Sequence, residues 1–201
     1  IGIAGIADKV KLRPIDDVNP ITGKATLSMT MRALEVALRF KKDDVILFAA
    51  GYPYEQKTAL LFKRVLEKVV KRGILFLTAA SNEDDADGME ELILPCSLAN
   101  GIQGVLCIAA TTASDLRLVL EHPAPMCGYQ HRSETETTAG GMFALMKSFN
   151  NFKLSDIERI LLNCTEGRVR TKNRAEMLYG VLRSDLAVSQ AIAEARWGLA
   201  A

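Results

Sequence analysis

Short apolar runs alternate with longer amphipathic stretches along the first half of the chain. Residues 44–50, 74–80 and 105–111 are apolar runs, a pattern typical of strands buried on both faces. Residues 26–40 and 55–72 repeat their apolar positions at helical spacing. Because strands and helices alternate in this way in parallel sheets with right-handed crossovers, the pattern predicts an α/β fold.

Other segments extend this prediction at both ends of the chain. Residues 10–16 have the composition of a strand, with Pro14 near its end. Ser155 and Glu158 have the spacing of a capping box at the start of a helix that reaches residue 164. Residues 173–180 indicate a hairpin or turn, and residues 185–197 predict a final amphipathic helix.

The second predicted helix, residues 55–72, has a specific inward face. Four apolar residues at helical spacing are expected to point into the core, and Gly73 is expected to end the helix. These four residues are Leu61, Val65, Leu66 and Val69.

Residues 131–149, HRSETETTAGGMFALMKSF, combine a serine, a pair of glycines and an apolar run. Small residues beside apolar ones allow close packing, so residues 133–149 are expected to form the buried central helix. At the first turn of that helix, Ser133 is either an N-cap or a nucleophile close to free backbone N–H groups. The stretch alone leaves both interpretations open.

Composition and charge exclude several classes of protein. The chain has 201 residues, of which 49% are hydrophobic, which suits one large domain. Its 25 basic and 24 acidic residues give no reason to expect a nucleic-acid partner. The apolar runs are far shorter than the roughly 20 residues of a membrane span. No signal peptide is visible, and the start at Ile1 leads us to expect a processed chain or a fragment.

Four widely spaced cysteines lack the pattern of a zinc site. They are Cys96, Cys107, Cys127 and Cys164. Two disulfides are possible by number, but Cys107 lies in an apolar strand, so we expect a reduced, buried thiol there. The redox compartment stays open.

The acidic residues 82–91, NEDDADGMEE, offer many oxygen ligands for calcium. An EF-hand loop requires glycine at its sixth position and glutamate at its twelfth. With Gly88 at the sixth position, the twelfth is Leu94, so this motif fails. We therefore expect a solvated acidic loop, with no assigned metal ligand or other cofactor; calcium is possible but not assignable.

An ordered series of segments resembles the subtilisin-like serine proteases, or subtilases, over nearly the whole chain. The series predicts a three-layer subtilisin-like fold with a mostly parallel sheet, with residues 1–201 as the carboxyl-terminal two thirds of the catalytic domain. The segments are IGIAGIADKVKLRPID (1–16), DVILFAAGYP (44–53), KRGILFLTAASNED (71–84), LPCSLANGIQGVLCIAAT (94–111), SETETTAGGMFALMKS (133–148), LSDIERILLNCTE (154–166) and YGVLRSDLAVSQAI (179–192).

The resemblance implies roles for individual residues. Ser133 aligns with the catalytic serine, and Asn82 aligns with the asparagine that stabilises the oxyanion. Asn82 also has the ordinary interpretation of a turn residue. The aligned substrate-binding positions are Ala49, Ala50, Gly51, Ala80 and Ser81.

The sequence also departs from the family pattern. The family's aspartate and histidine fall before residue 1 in the alignment, so we expect them on an amino-terminal segment, a propeptide or a second chain. His131, two residues before Ser133, is poorly placed to act as a base. Ser81, His131 and Arg132 replace smaller family residues, which predicts a narrowed specificity pocket.

Two main hypotheses follow. The chain is either part of a serine endopeptidase acting on peptides or proteins, or an inactive pseudoprotease that binds a peptide or partner protein. A third possibility, a different doubly wound domain for a small ligand, is disfavoured because no GxGxxG or P-loop is present. The resemblance implies a secreted or secretory-lumen location, whereas the sequence itself does not decide this.

Overall fold

A computed structural model describes residues 6–7, 10–42, 44–79, 93–110, 118–121, 134–167 and 179–198. All structural statements below refer to these residues.

The main sheet has six strands and is parallel in one half and antiparallel in the other. Numbered in chain order and given in spatial order, they are β1 (Val45–Phe48), β3 (Leu75–Ala79), β5 (Val105–Ala110), β6 (Leu118–Glu121), β8 (Val181–Leu182) and β7 (Thr165–Glu166). The first three strands are parallel, and the last three continue the sheet in antiparallel pairs. A small separate sheet pairs β2 (Tyr52–Pro53) with β4 (Ile93–Leu94).

Five helices cover the two faces of the sheet. They are α1 (Leu27–Ala37), α2 (Gln56–Lys71), α3 (Glu134–Phe149), α4 (Leu154–Asn163) and α5 (Ser184–Trp197). The first two share one hydrophobic core with the sheet, and the last three share another. The predicted three-layer α/β fold is therefore confirmed. The sheet was expected to be mostly parallel, and it is parallel over β1, β3 and β5 and antiparallel beyond β5. None of the helices in the described ranges is both long and apolar enough to cross a membrane.

Strand β3 separates the two cores. Leu75 and Leu77 belong to the core with α3, α4 and α5, whereas Phe76 belongs to the core with α1 and α2. All three side chains are essentially inaccessible to solvent. Since successive side chains of a strand point to opposite faces, the run of apolar residues reflects burial on both sides.

The predicted helix at residues 55–72 is confirmed as α2, and Gly73 follows it with φ +73°. Its inward face differs in one position from the prediction. Leu61 is 42% exposed, while its neighbour Phe62 is fully buried. The local period allowed either residue, and contact with the sheet selects Phe62 because its ring packs against other aromatic rings there.

The strand predicted at residues 10–16 is wrong. This stretch has no regular secondary structure. Leu12, which a sheet would shelter, is 80% exposed. A strand requires a hydrogen-bonded neighbour, and none of the described strands pairs with these residues.

The predicted central helix is confirmed as α3, and four of its apolar residues are buried against the sheet. Ala139, Met142, Phe143 and Met146 are each at most 5% exposed. A Cβ atom on Gly140 would lie only 2.8 Å from Leu47 of β1. The glycine therefore lets the first half of α3 approach the edge strand closely.

The capping box predicted at Ser155 and Glu158 is wrong. Helix α4 begins one residue earlier, and the backbone N–H of Lys153 donates a hydrogen bond to Asp156 Oδ2 at 3.2 Å. The Glu158 carboxylate, only 9% exposed, instead accepts a hydrogen bond from the backbone N–H of Gly104 at 3.1 Å. Glu158 thus ties α4 to the turn that leads into β5.

The reduced thiol expected at Cys107 is also wrong. Cys107 forms a disulfide with Cys96, which opens a short 3-10 helix after β4. The sequence separation of 11 residues gave no sign that this helix packs against β5. Cys164 is a free, buried cysteine. Cys127 lies outside the described residues.

We expect the disulfide to stabilise the fold measurably. The chain-entropy relation gives about 3 kcal/mol for a loop of this length, so Cys96→Ala with Cys107→Ala should lower the free energy of unfolding by about that amount. Urea unfolding with and without a reductant is the measurement. Cys164→Ala is the matched control and should keep the wild-type response to reductant. If the urea midpoint of the wild-type protein were the same with and without reductant, this prediction would be contradicted.

Helices α4 and α5 are joined by an ion pair. Arg159 donates two hydrogen bonds to the Glu194 carboxylate, at 3.1 and 2.7 Å. The hydrogen bond from Arg159 lowers the pKa of Glu194 below its ordinary value of 4.5, although partial burial opposes the shift. Arg159 is 43% exposed at its side chain, so solvent limits the contribution of the pair to about 1 kcal/mol or less.

The stability from this pair should depend on pH with a definite sign. Because the pKa of Glu194 is lower in the folded state, its contribution is complete above the unfolded pKa and disappears as pH falls through the folded pKa. The wild-type advantage over Glu194→Gln should therefore be present near pH 7, decline as pH falls below the ordinary glutamate value of 4.5, and be lost once pH is below the lowered folded pKa. Denaturant unfolding across this range tests it, with Glu67→Gln on the exposed face of α2 as the control. An advantage that persists undiminished at acid pH would refute the assignment.

Candidate functional site

The structure describes three of the seven predicted site residues. Ala49, Ala50 and Gly51 directly follow β1, and we call them segment 49–51. The predicted substrate-binding residues Ala80 and Ser81 and the predicted catalytic residues Asn82 and Ser133 lie outside the described residues. In sequence, Ala80 directly follows β3, and Ser133 directly precedes α3. The roles assigned to these four residues stay predictions.

Strand β1 has one edge that pairs with none of the described strands, and we call it the free edge of β1. Its other edge pairs in parallel with β3, and the backbone N–H of Leu75 donates to the Asp44 carbonyl at 3.2 Å. Because residues along a parallel strand alternate between its two neighbours, this bond directs the backbone N–H and C=O groups of Val45 and Leu47 away from β3. Among the described strands, none pairs with that side. The exposure of Leu47, at 41%, shows that the prediction of a strand buried on both faces holds only in part for β1.

Segment 49–51 continues from this edge strand and is exposed at all three residues. The residues on either side of it are anchored. The rings of Phe48 and Tyr52 both pack against Phe62 of α2, with centroid distances of 6.2 and 5.7 Å. The segment is thus short and exposed, and the aromatic residues at its two ends, Phe48 and Tyr52, both pack on Phe62.

Gly51 lies close to β4. A Cβ atom at this position would overlap the Cγ2 methyl of Ile93, which pairs with Pro53 across the small sheet. Gly51 does not have a positive φ, so its need for glycine is one of space rather than of backbone conformation. The small sheet thereby fixes the distance between segment 49–51 and β4.

The ring of Tyr52 packs on Phe62, and its hydroxyl is held by a chain of hydrogen bonds. The Thr30 hydroxyl donates to Asp17 Oδ2 at 2.5 Å, and the Tyr52 hydroxyl lies 2.6 Å from the same Thr30 oxygen. Thr30 is fully buried on α1. Sequence reasoning missed this network, although a polar Thr30 between the inward residues Leu27 and Leu34 was a usable signal for a buried hydroxyl in need of partners.

A second surface feature is an open groove of about 420 Å³ beside β8. Glu166, Leu182, Arg183, Ser184 and Asp185 line it. Arg183 donates to Glu166 at 2.6 Å and to Asp185 at 2.8 and 3.0 Å, and these bonds hold the pKa of the Asp185 carboxyl below its ordinary value. Because Arg183 is already hydrogen-bonded to both carboxylates of the groove, the groove is a poorer candidate site than segment 49–51.

Within the described ranges, no three His, Cys, Asp or Glu side chains come together in a way that would hold a metal ion. The acidic residues 82–91, where calcium was considered, lie outside these ranges.

Comparison with known proteins finds similarity in fold and none in sequence families. No protein-family model matches the chain, and no curated protein matches it. The chain is similar to a solved structure of the subtilase cytotoxin SubAB assembly, with a TM-score of 0.62, 15% identity, and 87% of this chain and 68% of that chain covered.

Two further structures show the same similarity. The prenylagaramide maturation protease PagA gives a TM-score of 0.59 at 17% identity, covering 85% of this chain and 69% of that one. The A-subunit of the AB5 toxin from E. coli gives 0.57 at 14% identity, covering 84% and 68%. The chain therefore has a subtilase-like α/β fold, at low sequence identity.

These findings correct the identification made from sequence. Placing the chain within the subtilisin-like serine protease family is wrong, because no family model matches it. The quoted segments follow the order of strands and helices in that fold, and such a pattern of apolar residues is shared far more widely than a family's own sequence. What the comparisons support is the fold.

The close approach at Gly51 yields a stability prediction. Gly51→Ala should lower the free energy of unfolding by about 1–3 kcal/mol, because the added methyl overlaps Ile93 in a packed site. Denaturant unfolding measures this difference. Adding Ile93→Ala removes the overlapped methyl and should recover part of the loss.

Gly101→Ala is the matched control, since a Cβ atom there meets nothing within 4 Å. Equal stabilities of Gly51→Ala and Gly101→Ala would show that the small sheet does not constrain segment 49–51.

Proposed function

We propose that this chain binds extended peptides through their backbone, along the free edge of β1 and segment 49–51. The observation that supports this most directly is the edge of β1 that no described strand pairs with, which continues into three exposed residues with small side chains. A peptide that adds to such an edge gains main-chain hydrogen bonds.

The side chains of the segment suit this mode of binding. Ala49, Ala50 and Gly51 present at most one methyl group each, so a peptide backbone can approach within hydrogen-bonding distance. Leu47, exposed beside them, adds an apolar contact for one peptide side chain. Specificity in strand addition comes from such alternate side-chain contacts, whereas affinity comes mostly from the backbone.

Peptide cleavage is the second candidate function. Ser133 is the proposed nucleophile and Asn82 the proposed oxyanion donor, with Ala80 and Ser81 in the pocket wall. One of the proteins similar in fold is described as a maturation protease, which favours this candidate. General-base activation of a serine requires a correctly placed base. We propose that an aspartate and a histidine on a separate segment, propeptide or second chain supply it, and that the present chain alone binds without cleaving.

The proposal includes an oxidising location, either secreted or in the secretory lumen. The disulfide between Cys96 and Cys107 supports this, because disulfides persist mainly in such compartments.

A titration followed by NMR tests the binding. An acetylated, amidated tetra-alanine peptide is added to the 15N-labelled chain, and we expect shifts at the amides of Leu47, Ala49, Ala50 and Gly51. The matched controls are two peptides, one N-methylated at its first and third residues and the other at its second and fourth. The peptide whose methyl groups replace the N–H groups that face β1 should cause no shifts, whereas the other peptide should cause the same shifts as the unmethylated one. Absence of shifts at these amides would overturn the proposal, as would shifts confined to the groove at Arg183.

Treatment with a fluorophosphonate probe separates binding from catalysis. An unassisted serine is a poor nucleophile, so the chain alone should not be modified at a useful rate. Rapid modification that Ser133→Ala abolishes would show that a base already reaches Ser133, and would make cleavage the primary function.

A further inference from the structure

We infer that Asp17, Thr30 and Tyr52 are positioning residues that hold segment 49–51 in the conformation that receives a peptide. This inference rests on the proposed peptide binding. It assigns a role to three residues that the sequence did not single out and that are not themselves expected to contact the peptide.

The direction of the hydrogen bonds follows from the chemistry of the three groups. A carboxylate only accepts, and a threonine hydroxyl has a single proton to donate. Since Thr30 gives its proton to Asp17 Oδ2, the Tyr52 hydroxyl must donate to the Thr30 oxygen. Asp17 thus sets the donor-to-acceptor direction of both hydrogen bonds, and the Tyr52 hydroxyl has one defined hydrogen-bond arrangement.

Burial makes this arrangement specific. Thr30 is fully buried, so if its hydroxyl loses a protein partner, bulk water cannot take that partner's place. Asp17 directly follows residues 10–16, which have no regular secondary structure, and its hydrogen bond ties the end of this stretch to α1. The network therefore joins the amino-terminal stretch, α1 and β2 at one buried oxygen.

The position of Tyr52 transfers this restraint to the binding segment. Tyr52 directly follows Gly51, and its ring packs on Phe62, which also supports Phe48 at the other end of the segment. With both ends fixed, three exposed residues have little freedom left to lose when a peptide binds. Preorganisation of this kind raises affinity by lowering the conformational entropy lost on binding.

Removal of the network should weaken peptide binding without removing any peptide contact. Tyr52→Phe keeps the ring on Phe62 and deletes only the hydroxyl, and Thr30→Val deletes the central hydroxyl at nearly constant volume. Tyr52→Phe loses one hydrogen bond and should weaken binding of the tetra-alanine peptide by about three- to tenfold. Thr30→Val loses two and should weaken binding by at least as much. Thr30→Ser keeps the hydroxyl and should bind as the wild type does.

The experiment measures peptide Kd, thermal unfolding and amide hydrogen exchange at Ala50 and Gly51 for each variant. Glu194→Gln is the matched control, since it destabilises the opposite layer of the molecule and should leave both Kd and exchange unchanged. In Tyr52→Phe and Thr30→Val, exchange at the two amides should become faster in the free protein.

The outcomes separate this inference from the proposed function. A wild-type chain that binds no peptide overturns the proposed function. A wild-type chain that binds, with unchanged Kd and unchanged exchange in both variants, overturns the positioning role alone. If Thr30→Ser binds the peptide as weakly as Thr30→Val, or if Glu194→Gln weakens binding by a similar factor, the network contributes only to overall stability. Either result would also overturn the positioning role.

Discussion

Burial of β3 on both faces is the constraint on which the rest of the structure depends. Its residues alternate between two hydrophobic cores, so helices must cover both sides of the sheet. The α1 and α2 layer packs over Phe76, and the α3, α4 and α5 layer packs over Leu75 and Leu77. Both neighbours of β3, β1 and β5, run parallel to it, which places their carboxyl ends at one edge of the sheet, the place where α/β folds bind ligands.

Strand β1 is less enclosed than β3. It pairs with β3 along one edge, Leu47 is 41% exposed, and the residues that follow the strand are accessible. One edge is bonded to β3, while its other backbone groups face no described strand. Gly140 brings α3 close enough to cover part of Leu47, so the strand is held in place without being fully enclosed. A strand edge that no described strand covers suits a role in backbone recognition, since unpaired strand edges readily accept another strand.

Sequence patterns predicted what depends on local periodicity and missed what depends on contacts between distant segments. The buried run of β3 and the helical spacing of α2 are readable because burial imposes a period on neighbouring residues. The choice of Phe62 over Leu61 is not readable, since it depends on aromatic rings that other elements supply. The Cys96–Cys107 disulfide was missed for a related reason: its geometry arises only once the short helix after β4 docks on β5.

The candidate site shows the same division. Segment 49–51 was found through the resemblance of residues 44–53 to a subtilase substrate-binding strand, but the hydrogen bonds of Thr30 require a folded α1 beside β2. Peptide binding and peptide cleavage also make separate demands. Binding needs a supported strand edge with free backbone groups, which fold and packing provide, whereas cleavage needs a nucleophile, a base and oxyanion donors placed to within a fraction of an ångström. At about 15% identity to the subtilase cytotoxin assembly, a shared fold preserves the first requirement far more readily than the second.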